Sequence, residues 1–165
     1  SLEKYKEIVN KNPKEITSHM VLGIIYEHQK KYDLSIDHYR KILAVNPESM
    51  LAENNIAYRL AEKEEKLNEA LNLAQRAKEK YPDQENIIDT LGWIYYKKDL
   101  YDNAISEFVE SLKKVPDNAL VRYHLGMAYA LAGQPALART ELLAAVESGQ
   151  EFPGIDQARA KLETL

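Results

Sequence analysis

The sequence predicts an all-α protein, a right-handed solenoid of stacked antiparallel helix pairs closed by a C-terminal capping helix. Three series of residues predict it. Prolines stand at Pro13, Pro47, Pro82 and Pro116, in steps of 34, 35 and 34. Small residues recur at Gly23, Ala57, Gly92 and Gly126 in the same steps. They recur again at Ser35, Ala70, Ala104 and Ala138, in steps of 35, 34 and 34. A fixed period of this size marks stacked supersecondary units, each too small to bury its apolar face alone.

Taken in order, SLEKYKEIVNKNP aligns with the second helix of a repeat, with Tyr5 and Ile8 where Tyr39 and Ile42 fall later, so residues 1–15 read as the remainder of an upstream repeat. With no initiator Met and no signal peptide, the expectation is that the array continues upstream. Repeats follow at 16–49, 50–84, 85–118 and 119–152. The change of step places one extra residue between Leu60 and Ala70, in the polar stretch AEKEEKLNE, where a longer turn costs little. In the third repeat Ile88, Leu91 and Tyr95 share one helical face, as do Ala104, Phe108 and Leu112 on the next helix. Gly92 and Ala104 are expected to let the two helices cross closely, and Pro116 to end the second. Gly149 suits a helix C-terminus. In residues 153–165, Ile155, Ala158, Leu162 and Leu165 form one apolar stripe opposite Asp156, Arg159 and Glu163, as a terminal cap requires.

The residues at these positions resemble the tetratricopeptide repeat (TPR) family: Leu22-Gly23, Tyr26, Ser35, Tyr39, Ile42 and Pro47, then Ile56-Ala57, Leu60, Ala70, Ala74, Ala77 and Pro82. Leu91-Gly92, Tyr95, Ala104, Phe108, Ser111 and Pro116 follow, then Leu125-Gly126, Tyr129, Ala138, Leu142 and Ala145, with no proline at the fourth repeat's end. His19, Glu53, Ile88 and Arg122 stand where the family has its opening tryptophan. The stretches DTLGWIYYKKDLYDNAISEF, RYHLGMAYALAG and FPGIDQARAKL are also similar to bacterial TPR lipoproteins linked to exopolysaccharide export, which implies a bacterial periplasmic setting.

Composition bounds function. A net charge of −4 and a pI near 5.6, with no basic run, argue against a nucleic-acid partner. The absence of cysteine removes disulfides, thiolate metal sites and thiol nucleophiles. No apolar stretch is long enough to span a bilayer. His19, His28, His38 and His124 fall in different repeats without metal-ligand spacing and read as partly exposed helix positions. No catalytic residue, metal site or cofactor is expected, and the chain is not read as an enzyme.

The first helix of each repeat is apolar over too wide an arc for one buried face, which suggests a second contact surface. In the TPR family first helices line a concave groove, and that resemblance assigns the stripe. The expected positions are Thr17, Met20, Ile24 and His28, then Asn54, Tyr58 and Glu62. Asp89, Trp93, Tyr96 and Lys97 follow, then Leu120, Tyr123, Met127 and Leu131. Ile24 and Met127 serve equally as filling between repeats, and Asn54 and Asn55 either bond a peptide backbone or form plain polar surface. Trp93 and Tyr123 are expected to be exposed aromatic anchors, so that Trp93→Ala weakens capture without unfolding the chain. Family members that clamp a chaperone tail's carboxylate use Lys, Asn and Arg. Here the corresponding positions are Met20, Ile24, Asn55, Asn86 and Thr90, of which only Asn55 matches, so charge-assisted bonds to a carboxylate are missing.

The reading is a non-catalytic protein-interaction scaffold within a larger multi-repeat protein, binding a protein or peptide partner with apolar and basic anchors. The alternatives are a self-assembling scaffold, dimerising through its truncated N-terminal end, and a regulatory segment of a larger enzyme.

Overall fold

A computed structural model describes residues 2–64 and 66–165. Glu65, within the stretch expected to hold the extra residue, and Ser1, the first of the upstream remainder, lie outside the described residues. Ten α-helices and no strand occur among the described residues: α1 Leu2–Lys11, α2 Ile16–His28, α3 Tyr32–Val45, α4 Met50–Glu62, α5 Leu67–Lys80, α6 Glu85–Lys97, α7 Tyr101–Lys114, α8 Ala119–Leu131, α9 Pro135–Glu147 and α10 Ile155–Glu163.

The chain divides into two compact units, Ser1–Ala77 and Lys78–Leu165. In the first, α1 packs on α2, α2 on α3 and α3 on α4. In the second, α6 packs on α7, α7 on α8 and α8 on α9, while α10 lies against both α8 and α9.

Two kinds of turn generate this plan. At each repeat proline the chain makes a β-turn with proline at its second position, where the ring's fixed φ is already correct. Glu15 N–H donates to Asn12 O (3.1 Å), Ser49 to Asn46 (3.1 Å), Gln84 to Tyr81 (3.2 Å) and Asn118 to Val115 (3.3 Å). The fourth repeat does the same three residues late: Ile155 N–H donates to Phe152 O at 3.3 Å across Pro153 and Gly154, whose φ is 100°. Side chains then cap some of the helices that follow. Glu15 accepts from Thr17 and Ser18 N–H, and these bonds hold its carboxyl below the usual carboxylate range. Asn118 accepts from Val121 N–H.

In the first, third and fourth repeats the first helix ends in a Schellman motif. Lys31 N–H reaches Tyr26 O (2.8 Å), Leu100 reaches Tyr95 (2.9 Å) and Gln134 reaches Tyr129 (2.9 Å), with Lys30, Asp99 and Gly133 in the left-handed region at 58°, 60° and 74°. Glu64 holds the same place after α4 at 54°, and Lys66 is left-handed as well at 52°.

The periodic glycines face large side chains. A β-carbon on Gly23 would stand 2.6 Å from Tyr39 Cε1, one on Gly92 2.6 Å from Phe108 Cε1, and one on Gly126 2.6 Å from Leu142 Cγ. Gly92 therefore makes room for the ring of Phe108, one helical turn beyond Ala104. Where the series carries Ala57, Ala74 stands at the register of Tyr39, Phe108 and Leu142, and both alanines are fully buried. The closing cluster comprises Ala119, Tyr123, Leu142, Ala145, Phe152 and Ala158, with Leu120, Met127, Ile155, Leu162 and Leu165 packed on it.

Candidate functional site

The expected binding residues all project from first helices, and register sorts eight of them into two rows. One row is Met20, Asn54, Asp89 and Tyr123; the other is Ile24, Tyr58, Trp93 and Met127.

In the first unit, α2 and α4 are tied by an ion pair, Arg59 Nε to Glu27 Oε1 at 2.8 Å. Burial is the largest single influence on Arg59 and opposes its charge, yet the hydrogen bond to Glu27, the Glu27 charge and the Tyr58 and Tyr32 hydroxyls together raise its pKa. The guanidinium also lies over the rings of Tyr32 (4.8 Å) and Tyr58 (5.0 Å). Around this tie Ile24 is 42% exposed, His28 is exposed, and Met20 and Tyr58 are half-buried. Asn54 is only 8% exposed, and its Oδ1 has no hydrogen-bond partner. Leu51, 48% exposed, joins the face at the register of Thr17 and Leu120. Its place in that column was the available signal.

In the second unit the expectation of exposed aromatic anchors is corrected. Trp93 is 6% exposed and Tyr123 7%. Trp93 stacks between Tyr96 (4.7 Å) and His124 (4.2 Å), with Lys97 Nζ 5.2 Å above its ring. Tyr123 packs on Phe152 at 5.6 Å, and its ring abuts Gly154, leaving no room there for a β-carbon. The cause is common to both: this side of a first helix meets the next first helix or the cap. Asp89 shows it directly, its Oδ1 lying 2.8 Å from His124 Nδ1. Tyr96 and Met127 remain half-buried.

The histidines also depart from the reading of partly exposed positions. His19, His38 and His124 are buried and only His28 is exposed. His19 Nδ1 lies 2.8 Å from His38 Nδ1, and His19 Nε2 lies 2.9 Å from Pro13 O. Burial pushes His38 down to about 4, with the adjoining His19 ring acting in the same direction. Tyr39, buried beside them on α3, is pushed up to about 12, burial again being the largest cause.

Surface hollows lie elsewhere. Lys30, Tyr32, Leu34 and Lys63 line one of about 320 Å³ at the α2–α3 turn. Asp99, Tyr101, Asn103 and Ala132 line one of about 330 Å³ at the start of α7. Neither coincides with the first-helix rows. Among the described residues, no group of three or more His, Asp or Glu side chains is placed to hold a metal ion, and no helix is long and apolar enough to cross a membrane.

Two tetratricopeptide repeat family models match the chain, at residues 90–154 and 16–49, together more than half of it. A TPR repeat-containing protein of Pseudomonas aeruginosa, PA4667, is 32% identical over 87 residues, which is 53% of this chain and 15% of that protein. The chain spans between 15% and 28% of the length of the curated relatives it matches. Among solved structures, a TPR protein from Parabacteroides merdae superposes with a TM-score of 0.84 at 15% identity, covering 99% of this chain and 63% of that one. YrrB, described as a TPR protein with an unusual peptide-binding site, superposes at 0.72 and 20% identity, covering 99% and 82%. These likenesses carry the helical solenoid fold, and with the family matches they show that the chain belongs to the tetratricopeptide repeat family.

Proposed function

We propose that the chain is a non-catalytic protein-interaction scaffold whose first-helix face in the first unit binds an extended segment of a partner protein. The carrying observation is Asn54: a buried carbonyl acceptor without a partner, on the helix that also carries exposed Leu51 and half-buried Tyr58. A buried unpaired acceptor costs about 1–3 kcal/mol, and a peptide N–H satisfies it. Ile24 and Leu51 supply apolar contact, so the occupant is a peptide with an exposed backbone donor flanked by aliphatic or aromatic side chains. The peptide-binding site reported for YrrB, on the same fold, supports this reading. So does the use of His19, His38 and His124 in bonds between helices, which leaves them no role as acids or bases on a substrate.

The test is a peptide-display selection against the wild type, followed by titration of the selected peptide. Ile24→Asp is expected to weaken binding at least about tenfold, and Asn54→Ala about threefold to tenfold, the worth of one neutral hydrogen bond. Unchanged affinity in both variants contradicts the proposal.

Self-assembly is a second reading, favoured by α1, which has no fully buried residue although Tyr5, Ile8 and Val9 are half-buried. Sedimentation across a concentration series with Tyr5→Lys as control tests it. A wild-type dimer abolished by the substitution supports it, and a monomer throughout removes it.

A further inference from the structure

The opening position of the repeat is filled by different residues in the two units, yet two of them make the same connections. Arg122 Nε donates to Pro116 O at 3.1 Å, and its Nη1 reaches Glu141 Oε2 at 2.7 Å. His19 stands 2.9 Å from Pro13 O and 2.8 Å from His38. Each residue thus joins the proline carbonyl six positions before it to the side chain nineteen after it. In the second unit the link is an ion pair, whereas in the first it is two imidazoles.

Chemistry assigns the protons. A carbonyl only accepts, so His19 Nε2 carries a hydrogen and the neutral ring presents a bare Nδ1. His38 Nδ1–H then donates to it, which leaves His38 Nε2 bare. Only one proton fits between the two Nδ1 atoms; a second, on His19, would set N–H against N–H. A proton on His38 Nε2 instead charges a ring that is 9% exposed and stacked on Tyr26 at 5.5 Å. Besides burial, the titratable groups acting on His38 are His19 from α2 and, on its own helix, Lys41 and Asp37 with opposite signs. Of the groups on the other packed elements, Lys6 of α1 feels Tyr26, the ring stacked on His38, while Glu27 and Arg59 act on the neighbouring Tyr39.

We propose that the His19–His38 pair is an acid-operated latch: neutral, it ties the Pro13 turn and α1 to the first helix pair, and when His38 is charged its ring leaves the buried site for water, which breaks the bond to His19 and releases them. The sign follows from the protons. His38 is held down to about 4 in the latched state against an ordinary value of 6.5, so the released state binds more protons between those values. The latch is complete above that window and weakens as the pH falls through it.

The experiment is a pH titration of the ¹⁵N-labelled chain, reading histidine ring nitrogens and backbone amides. At neutral pH the ring protons are expected on His19 Nε2 and His38 Nδ1. On acidification the amides of α1 and residues 12–15 move to disordered positions while those of α6–α10 hold. H19R/H38E, which transplants the Arg122–Glu141 pair, is expected to lower the release midpoint by at least about one pH unit. If that variant does not fold, H19Q/H38Q keeps both hydrogen bonds with no titrating group, and the same shift is expected. The opposite ring tautomers, retention of α1 until the whole chain unfolds, or release at the wild-type pH in the folded variant overturns the proposal.

Discussion

A β-carbon on Gly92 would stand 2.6 Å from Cε1 of Phe108 and 2.8 Å from its Cδ1. The ring is fully buried and wedged between helices, so it has little freedom to retreat. Gly92→Ala is therefore expected to lower stability by about 2 kcal/mol, the usual cost of overpacking a tight core, even though alanine favours the helix. Urea unfolding measures this. In a Phe108→Ala background the same substitution is expected to cost much less, since the clash is gone.

Lys30 holds a left-handed φ of 58° at the end of α2, where glycine is the common choice. Lys30→Gly is expected to stabilise the chain by about 1 kcal/mol, read as a higher urea midpoint with an unchanged slope. Asp99→Gly is expected to gain less, because Asp99 also accepts a 2.7 Å hydrogen bond from Tyr101.

Trp93→Ala is expected to destabilise by about 3 kcal/mol or more, as for a large buried aromatic, since the indole fills the space between Tyr96 and His124. A thermal melt indistinguishable from wild type contradicts its placement in the core. This reverses the behaviour expected of an exposed anchor.

Much of the fold was legible because packing positions recur: the prolines, the small residues and the tyrosines at the first-helix ends each have a fixed mechanical task. The likeness to export lipoproteins rests largely on those same shared positions. The candidate site was less legible. Trp93 and Tyr123 lie on the expected helices, but helical spacing does not tell a face open to a ligand from one covered by the following helix. Phe152 and Gly154, which cover Tyr123, come from the cap turn, whose proline stands outside the regular step. The buried histidines were missed because His19 and His38 make sense only as a pair; the matching positions of Arg122 and Glu141 were the available signal.

Asn54→Ala separates binding from folding. Removing a buried acceptor that has no partner is expected to leave the melting temperature unchanged or slightly higher, while weakening capture of a selected peptide. A fall in melting temperature equal to that of a core truncation contradicts the view that Asn54 Oδ1 is unpaired in the isolated chain.

The central claim, that the first helices of the first unit meet the partner, is tested most directly by site-specific photocrosslinking. A benzophenone side chain is placed at Ile24 on α2 or at Leu34 on α3, both strongly exposed aliphatic positions, and irradiated with the display-selected peptide. Crosslinking at position 24 and not at position 34 is the predicted result. Equal crosslinking at both positions, or crosslinking at position 34 alone, contradicts it.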